Sequence, residues 1–307
     1  MLHFKISVLR LVLPVLMMAA IVSCDRFEGS ETMPSWLKID AINVVDNPGN
    51  SWSQEPGFFS SQIDAVQVDI WVSGDTAETN LGTFQLPCKI PVLRKGLIDR
   101  VRVTPVVKQD GIAGKRIYYP YYDYITFDSV RFQTDSVTDL GTLQTHYVSQ
   151  TLMRVAWQEF FEPGPSEISI DTSMVRVFAT DTVCSGYSCG AVRIKPNQTN
   201  VSFWADTTFT VTDPQAIIYL EMDYWSDFDF SVGLNNPKYD GGPNVITSHM
   251  TIYGKPEKGW QKIYVNIGAL WSKEYYHYKY IRPFFTIFNP DGKSGNLYID
   301  NLKVVVL

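Results

Sequence analysis

Apolar and polar residues alternate along most of this chain, and the alternation is sharpest from Ala65 to Val72. Val66, Val68, Ile70 and Val72 fall on one side, with Gln67, Asp69 and Trp71 on the other. Period two with one apolar side predicts a half-buried antiparallel strand. Leu37 to Ile42 repeats the pattern, and further strands are expected over 82–86, 90–93, 100–107, 116–124 and 129–133. Turns are expected at Asn47-Pro48-Gly49, Ser73-Gly74-Asp75 and Asp110-Gly111, where turn-forming residues interrupt the runs. A second series opens near Leu152 with Trp157-Gln158-Glu159-Phe160-Phe161-Glu162. It continues through 174–180, 191–195, 201–205, 217–224, 228–233, 247–253, 261–267, 281–288 and 296–306. Long helix-period runs, heptads and internal repeats are absent from the sequence. The expected class is all-β, in two units of different pattern.

One stretch breaks the alternation. Leu11 to Cys24 reads LVLPVLMMAAIVSC, and Lys5 and Arg10 are the only Lys or Arg before it. A positive segment followed by an apolar run of this length predicts a secretory signal peptide, too short with these flanks for a membrane span. Ile21-Val22-Ser23-Cys24 resembles a bacterial lipobox, which implies that Cys24 receives lipid and becomes the first residue of an exported chain. On this reading residues 1–23 are the signal peptide and 24–35, polar and aperiodic, a lipidated tether. The first β unit covers 36–145 and the second 150–307, with the junction at Gln144–Thr151.

Composition narrows the partners. Aromatic residues make up 14% of the chain, which with 20 Gly and 17 Pro suits strands joined by turns. The formal net charge is −6, and removal of 1–23 leaves 24 Lys and Arg against 32 Asp and Glu. An acidic chain without a basic run has no electrostatic footprint for nucleic acid.

About seven short strands in the first unit fit an immunoglobulin-like sandwich, without the Cys…Trp…Cys core of antibody domains. Within it, GIAGKRIYYPYY (111–122), after Pro91-Val92-Leu93 and Gly96, resembles a recurring N-terminal domain of Bacteroidota outer-membrane lipoproteins. That resemblance implies an envelope location and carries no catalytic residues. The second unit has an early Phe-Glu strand, then YLEMDYWSDFDFSVGL, GWQKIYVNIGAL and a last strand NLYIDNLKVVV. This order resembles carbohydrate-binding-module-like jelly rolls and implies a jelly-roll β-sandwich. By position in the first and last strands, Glu162 and Asp300 resemble residues that hold a structural calcium in some such modules. Two carboxylates are few for a hard cation. No other cofactor is expected.

Candidate chemistry is sparse. Gly186-Tyr187-Ser188-Cys189-Gly190 matches a nucleophile-elbow pattern, but strand-like residues on both sides predict a hairpin tip instead. Glu221, Asp223 and Asp227 form a near-match to the paired carboxylates of some jelly-roll glycoside hydrolases. The expected placement of this near-motif is the polar outer side of a sandwich strand, so no enzyme is expected. Lys293-Ser294 follows Gly292 without the upstream glycine of a phosphate loop, because Ile287 stands there. His146, His249 and His277 are scattered, without metal-ligand spacing. A disulfide is expected between Cys184 and Cys189 across a turn-like Ser-Gly-Tyr-Ser spacer, and Cys88 is expected as a buried free thiol.

Aromatics beyond the core are the remaining clue. Trp225 follows the central strand of the second unit, and Trp271, Tyr275, Tyr276 and Tyr278 crowd a long loop expected after Gly268. Rings of this kind stack on sugar C–H faces and serve protein interfaces equally well. The sequence therefore predicts a noncatalytic outer-membrane lipoprotein, anchored to the bilayer by acyl chains, that binds a glycan through its jelly roll. The alternatives are a structural subunit of an outer-membrane protein complex and, remotely, a glycoside hydrolase. Whether it faces outward or into the periplasm is left open. The anchor has a direct check: Cys24→Ser should move the protein from the detergent phase to the aqueous phase on Triton X-114 partitioning. Retention of the variant in the detergent phase would exclude lipidation of Cys24 as the anchor.

Overall fold

The computed structural model describes residues 33–93, 96–165, 168–169, 174–178, 182–213, 215–236, 245–270 and 280–307. Cys24 and the ring-rich stretch 271–279 lie outside them. Among the described residues, regular structure consists of 21 strands and two short 3-10 turns, Pro256–Lys258 and Ile267–Leu270. No helix among them is long and apolar enough to cross a membrane. The chain is all-β and folds as two successive sandwiches.

In the first, β1 (Ser35–Ile39) lies between β5 (Cys88–Val92) and a short parallel β9 (Val137–Asp139). Beside them β2 (Ala41–Val44) runs parallel to β10 (Thr142–Thr145). Facing these is a sheet ordered β4 (Thr79–Gln85), β3 (Ala65–Trp71), β6 (Gly96–Lys108), with β7 (Arg116–Tyr118) and β8 (Ile125–Phe132) both on β6. The alternation does its work at β3, where Val66, Val68 and Ile70 are buried against Leu37, Ile39 and Ile90. Cys88 is a half-buried free thiol at this core's edge, and burial raises its pKa.

The second sandwich has one sheet ordered β13 (Met174–Val177), β14 (Cys189–Ile194), β21 (Gly295–Val306), β16 (Ile218–Ser226), β19 (Gln261–Val265). The strand β11 (Arg154–Glu159) also pairs with β21. The other sheet is ordered β12 (Ile168–Ser169), β15 (Asn200–Ala205), β20 (Arg282–Phe288), β17 (Phe230–Asn236), β18 (Val245–Ile252). Leu220, Met222, Val232, Phe285, Leu302 and Val304 interdigitate between them. A bulge disturbs the pairing of β16 with β21 between Glu221 and Asp223. Opposite it Asn301 adopts φ 52°, so Asp300 and Asn301 are both buried polar residues while Leu302 returns to the core.

The two sandwiches meet on the outer face of the first of these sheets. Tyr219, Glu221 and Asp223 on β16 alternate outward, beside Lys262 and Tyr264 on β19 and Lys303 on β21. All six are buried, because rings of the first sandwich lie on them. Tyr119 and Tyr147 donate to Glu221 Oε1 and Oε2 at 2.7 and 2.8 Å. Tyr121 donates to the carbonyls of Ile217 and Val305, and Tyr122 shares a hydrogen bond with Tyr264. Lys303 Nζ lies 3.3 Å from Glu221 Oε2 and donates to the Tyr147 hydroxyl and the Phe58 carbonyl. Gly57, at φ 80°, passes so close to Asn301 that an added Cβ would lie 1.9 Å from its Oδ1.

Electrostatics at this contact are those of a closed site. Burial alone would raise the Glu221 carboxyl, but Lys303 and Lys262 hold its pKa below the ordinary value. Burial lowers Lys303 to about 8, against the pull of Glu221. Burial, reinforced by Glu221, keeps Tyr119 and Tyr147 protonated far above the usual phenol range, so they remain donors. Removing one member of such a pair leaves a buried charge uncompensated. Lys303→Met is therefore expected to destabilise the protein by about 3–5 kcal/mol in urea unfolding, and adding Glu221→Gln to recover much of it. Equal stability of Lys303→Met and wild type would mean that the pair does not hold the contact.

Candidate functional site

With Tyr219, Glu221 and Asp223 covered on one outer face, where Trp225 and Tyr298 stay part-exposed, the outer face of the other sheet is a second surface on which strands present side chains away from the core of this sandwich. Its composition follows from alternation. On β15, Val201, Phe203 and Ala205 enter the core and Asn200, Ser202 and Trp204 point out. On β20, Phe285 and Ile287 enter, leaving Arg282, Phe284, Thr286 and Phe288 outside. On β17 the outward positions are Ser231, Gly233 and Asn235.

The pairing register sets these side chains in rows. Trp204 faces Phe284 across β15 and β20, their rings 6.3 Å apart and 14° from parallel. Arg282 places its guanidinium 5.5 Å from the Trp204 ring centroid and reaches the Ala205 carbonyl at 3.5 Å. Asn235 lies opposite Arg282 on β17. Its carboxamide oxygen and the Arg282 Nε are buried without a hydrogen-bond partner. Ser202 and Thr286 share a hydrogen bond, as do Ser231 and Thr251 at 3.3 Å. Phe288, 66% exposed, ends the row on β20. Gly233 allows a close approach of β18, since a Cβ there would lie 2.1 Å from the Thr247 carbonyl oxygen. Phe284 and Asn235 are buried, at 6% and 2% exposure, so the accessible members are the part-exposed Trp204 and Arg282, an indole face and a guanidinium that can stack on a sugar and bind its hydroxyls.

The residues singled out from the sequence fall elsewhere. Trp225 is inside β16 rather than after it, half-buried against Tyr298 at 5.3 Å, on the sheet opposite Trp204. Trp271, Tyr275, Tyr276 and Tyr278 lie outside the described residues. Trp204, Arg282 and Asn235 were missed because a lone tryptophan on an alternating strand reads as ordinary sheet surface. The stacking partners come from strands about 80 residues apart, as in Trp204 and Phe284.

The carboxylate near-motif does not assemble as an active site. Glu221 is fully buried, and Asp223 accepts from Ser60 at 2.5 Å and Asn301 at 2.6 Å. Asp227 sits at a turn, accepting from the Asn296 backbone at 2.9 Å. Ser188 is buried and donates to the Phe161 carbonyl, so the Gly-x-Ser-x-Gly match presents no nucleophile.

The expected Cys184–Cys189 bridge is not formed, and both are free thiols. Cys189 is committed to β14, where it pairs with Val177, and its sulfur lies 3.6 Å from the Thr182 carbonyl. Burial raises both thiols, Cys189 to about 12, with nearby carboxylates adding to the effect.

Glu162 and Asp300 do approach the same turn, but as caps. Glu162 accepts from the Tyr187 backbone at 3.0 Å, and Asp300 from Ser185 and Asn301 at 3.2 and 2.8 Å. Burial pushes Asp300 up to about 8, with Asp223 and Glu162 contributing. No group of three or more His, Cys, Asp or Glu side chains among the described residues is placed to hold a metal ion.

No protein-family model matches the chain, and no curated protein matches its sequence. Its neighbours among solved structures are carbohydrate-binding modules. A family 30 module of a Clostridium thermocellum cellulosomal cellulase is 14% identical, with a TM-score of 0.33, covering 49% of this chain and 91% of that one. A xylan-binding family 22 module from Paenibacillus barcinonensis is 8% identical, with a TM-score of 0.34, covering 50% and 96%. A family 11 module from Clostridium thermocellum, in complex with a β-1,3-1,4-mixed-linked tetrasaccharide, is 12% identical with a TM-score of 0.33, covering 48% and 93%. Likeness at these scores carries no argument about ligand or residues, so function has to be read from the site itself.

Proposed function

We propose that this chain is a noncatalytic outer-membrane lipoprotein that binds a glycan on the outer face of the second sheet of its C-terminal sandwich. The carrying observation is the part-exposed Trp204, stacked on the buried Phe284, with the Arg282 guanidinium beside it and polar atoms of Arg282 and the buried Asn235 without partners. Burying such groups unpaired is unfavourable, and sugar hydroxyls supply both donors and acceptors to relieve it. Lipid on Cys24 and a tether over 24–35 place this face at a membrane surface. Trp271, Tyr275, Tyr276 and Tyr278 precede β20 in sequence. The burial of Glu221 supports a binding role over hydrolysis.

Trp204→Ala and Arg282→Gln test the reading on a glycan array followed by calorimetry with the best binder. Each is expected to weaken binding by about 2 kcal/mol, roughly thirtyfold, the scale of a central aromatic or arginine contact. Urea unfolding of each variant should stay cooperative. A wild-type protein that binds nothing on the array, or variants that bind as well as wild type, would overturn the assignment. Loss of a co-purifying membrane protein from both variants, with no glycan bound, would favour the structural-subunit reading instead.

A further inference from the structure

Where the two sandwiches diverge, a cleft of 520 Å³ opens between the turn after β6 and the strands β18 and β19. The first sandwich contributes Asp64, Lys108 and Asp110, and the second contributes Tyr253, Lys255, Lys258 and Lys262. Neither sandwich forms it alone. Gly111, at φ 67°, lets the turn sit against Ile263, where a Cβ would approach its Cδ1 to 3.2 Å.

The charges in this cleft are unevenly matched. Asp64 is paired with Lys108 at 2.8 Å and with Arg116 at 3.5 Å. Asp110 accepts from the Asn266 backbone and lies 3.5 Å from both Lys115 and His249. Its burial opposes ionisation, but the contacts with His249, Asn266 and Gln109 keep its pKa below the ordinary carboxylate value. Both acids are thus answered. Lys255 and Lys258, in contrast, form no ion pair with any described residue. A 3-10 turn holds them side by side, with Lys258 N donating to the Lys255 carbonyl at 3.0 Å and Gly259 N to Pro256 at 3.1 Å. Lys262 is buried, and its ammonium has no hydrogen-bond partner, the nearest carboxylate oxygens being 3.7 and 3.8 Å away. Tyr253, 65% exposed, stands on the same wall.

We infer that this cleft is a second binding site, for a saccharide unit bearing a carboxylate or sulfate group. Lys255 and Lys258 on one wall, without ion-pair partners among the described residues, make a local positive field in a chain of net charge −6, and low-dielectric walls focus such a field on a ligand in the cleft. The anionic group supplies the carboxylate or sulfate partner that Lys255 and Lys258 lack among the described residues, while Lys262 stays with Glu221 and Asp223 at the base of the cleft. The Tyr253 ring offers the C–H-stacking face that distinguishes a sugar from a bare anion. The site is separate from the Trp204 face and does not depend on it.

Calorimetry on the whole chain tests this with hexagalacturonate, a sulfated hexasaccharide, neutral cellohexaose and sodium sulfate as probes. The uronate and sulfate arms identify the anionic group, and binding of at least one, weakening as sodium chloride is raised, is the expected result. The exposed pair Lys255→Gln with Lys258→Gln should reduce that affinity about tenfold or more and leave the unfolding midpoint unchanged. Trp204→Ala should leave it intact, which separates failure here from failure of the sheet-face reading. Absence of binding by both acidic oligosaccharides, or binding indifferent to the lysine changes, would overturn the site. Equal affinity for sodium sulfate alone would overturn its assignment to a saccharide.

Discussion

The Glu221–Lys303 ion pair is the contact on which the arrangement of the molecule depends. Removing a carboxylate and an ammonium from water costs several kcal/mol each, and the attraction between them offsets this only when their remaining hydrogen-bonding positions are filled. Here the partners that fill them come from outside the second sandwich, Tyr119 and the Phe58 carbonyl from the first and Tyr147 from the junction. The surrounding rings, among them Trp52, Phe58, Tyr121 and Tyr219, supply apolar burial that drives association at many angles. The polar groups do not tolerate many angles. A small rotation would strand a buried charge, so they select one docking geometry while the rings supply most of the affinity.

That docking determines which surfaces are open to a ligand. It covers Tyr219, Glu221 and Asp223 on the outer face of one jelly-roll sheet, two of them carboxylates of the near-motif, while Asp227 stays at an exposed turn. It leaves the Trp204 face of the other sheet uncovered by the first sandwich and creates a basic cleft at the margin of the contact. The aromatic motif around Tyr119 to Tyr122 gains a physical meaning at the same time. Three of its rings are buried donors or stacking partners at the junction, while Tyr118 remains 52% exposed. A fixed pair of sandwiches also presents its two candidate ligand surfaces in a constant relative orientation, which flexibly linked domains would not do.

Fold class and the position of most strands are legible in the residue pattern, because alternation is a local property enforced by the pleat. Val66, Val68 and Ile70 were readable as core residues, as were Val201 and Phe203, since each needs only its own strand to declare its face. The same alternation placed Glu221 and Asp223 on an outer face, which is where they lie. It carried no information on whether water or another domain covers that face. Equally, the short spacer between Cys184 and Cys189 suggested a bridge, but strand pairing commits Cys189 to Val177 and its sulfur to a carbonyl.

Tertiary structure alone decided the rest, because the deciding contacts join residues far apart in sequence. Lys303 meets Phe58 across 245 positions, and Tyr119 meets Glu221 across 102. Trp204 became a candidate ligand contact only when strand pairing set Phe284 and Arg282 beside it. Lys255, Lys258 and Lys262 line a cleft only because the first sandwich closes its other side. Periodicity reports which way a side chain points, but what it meets there depends on how sheets and domains pack.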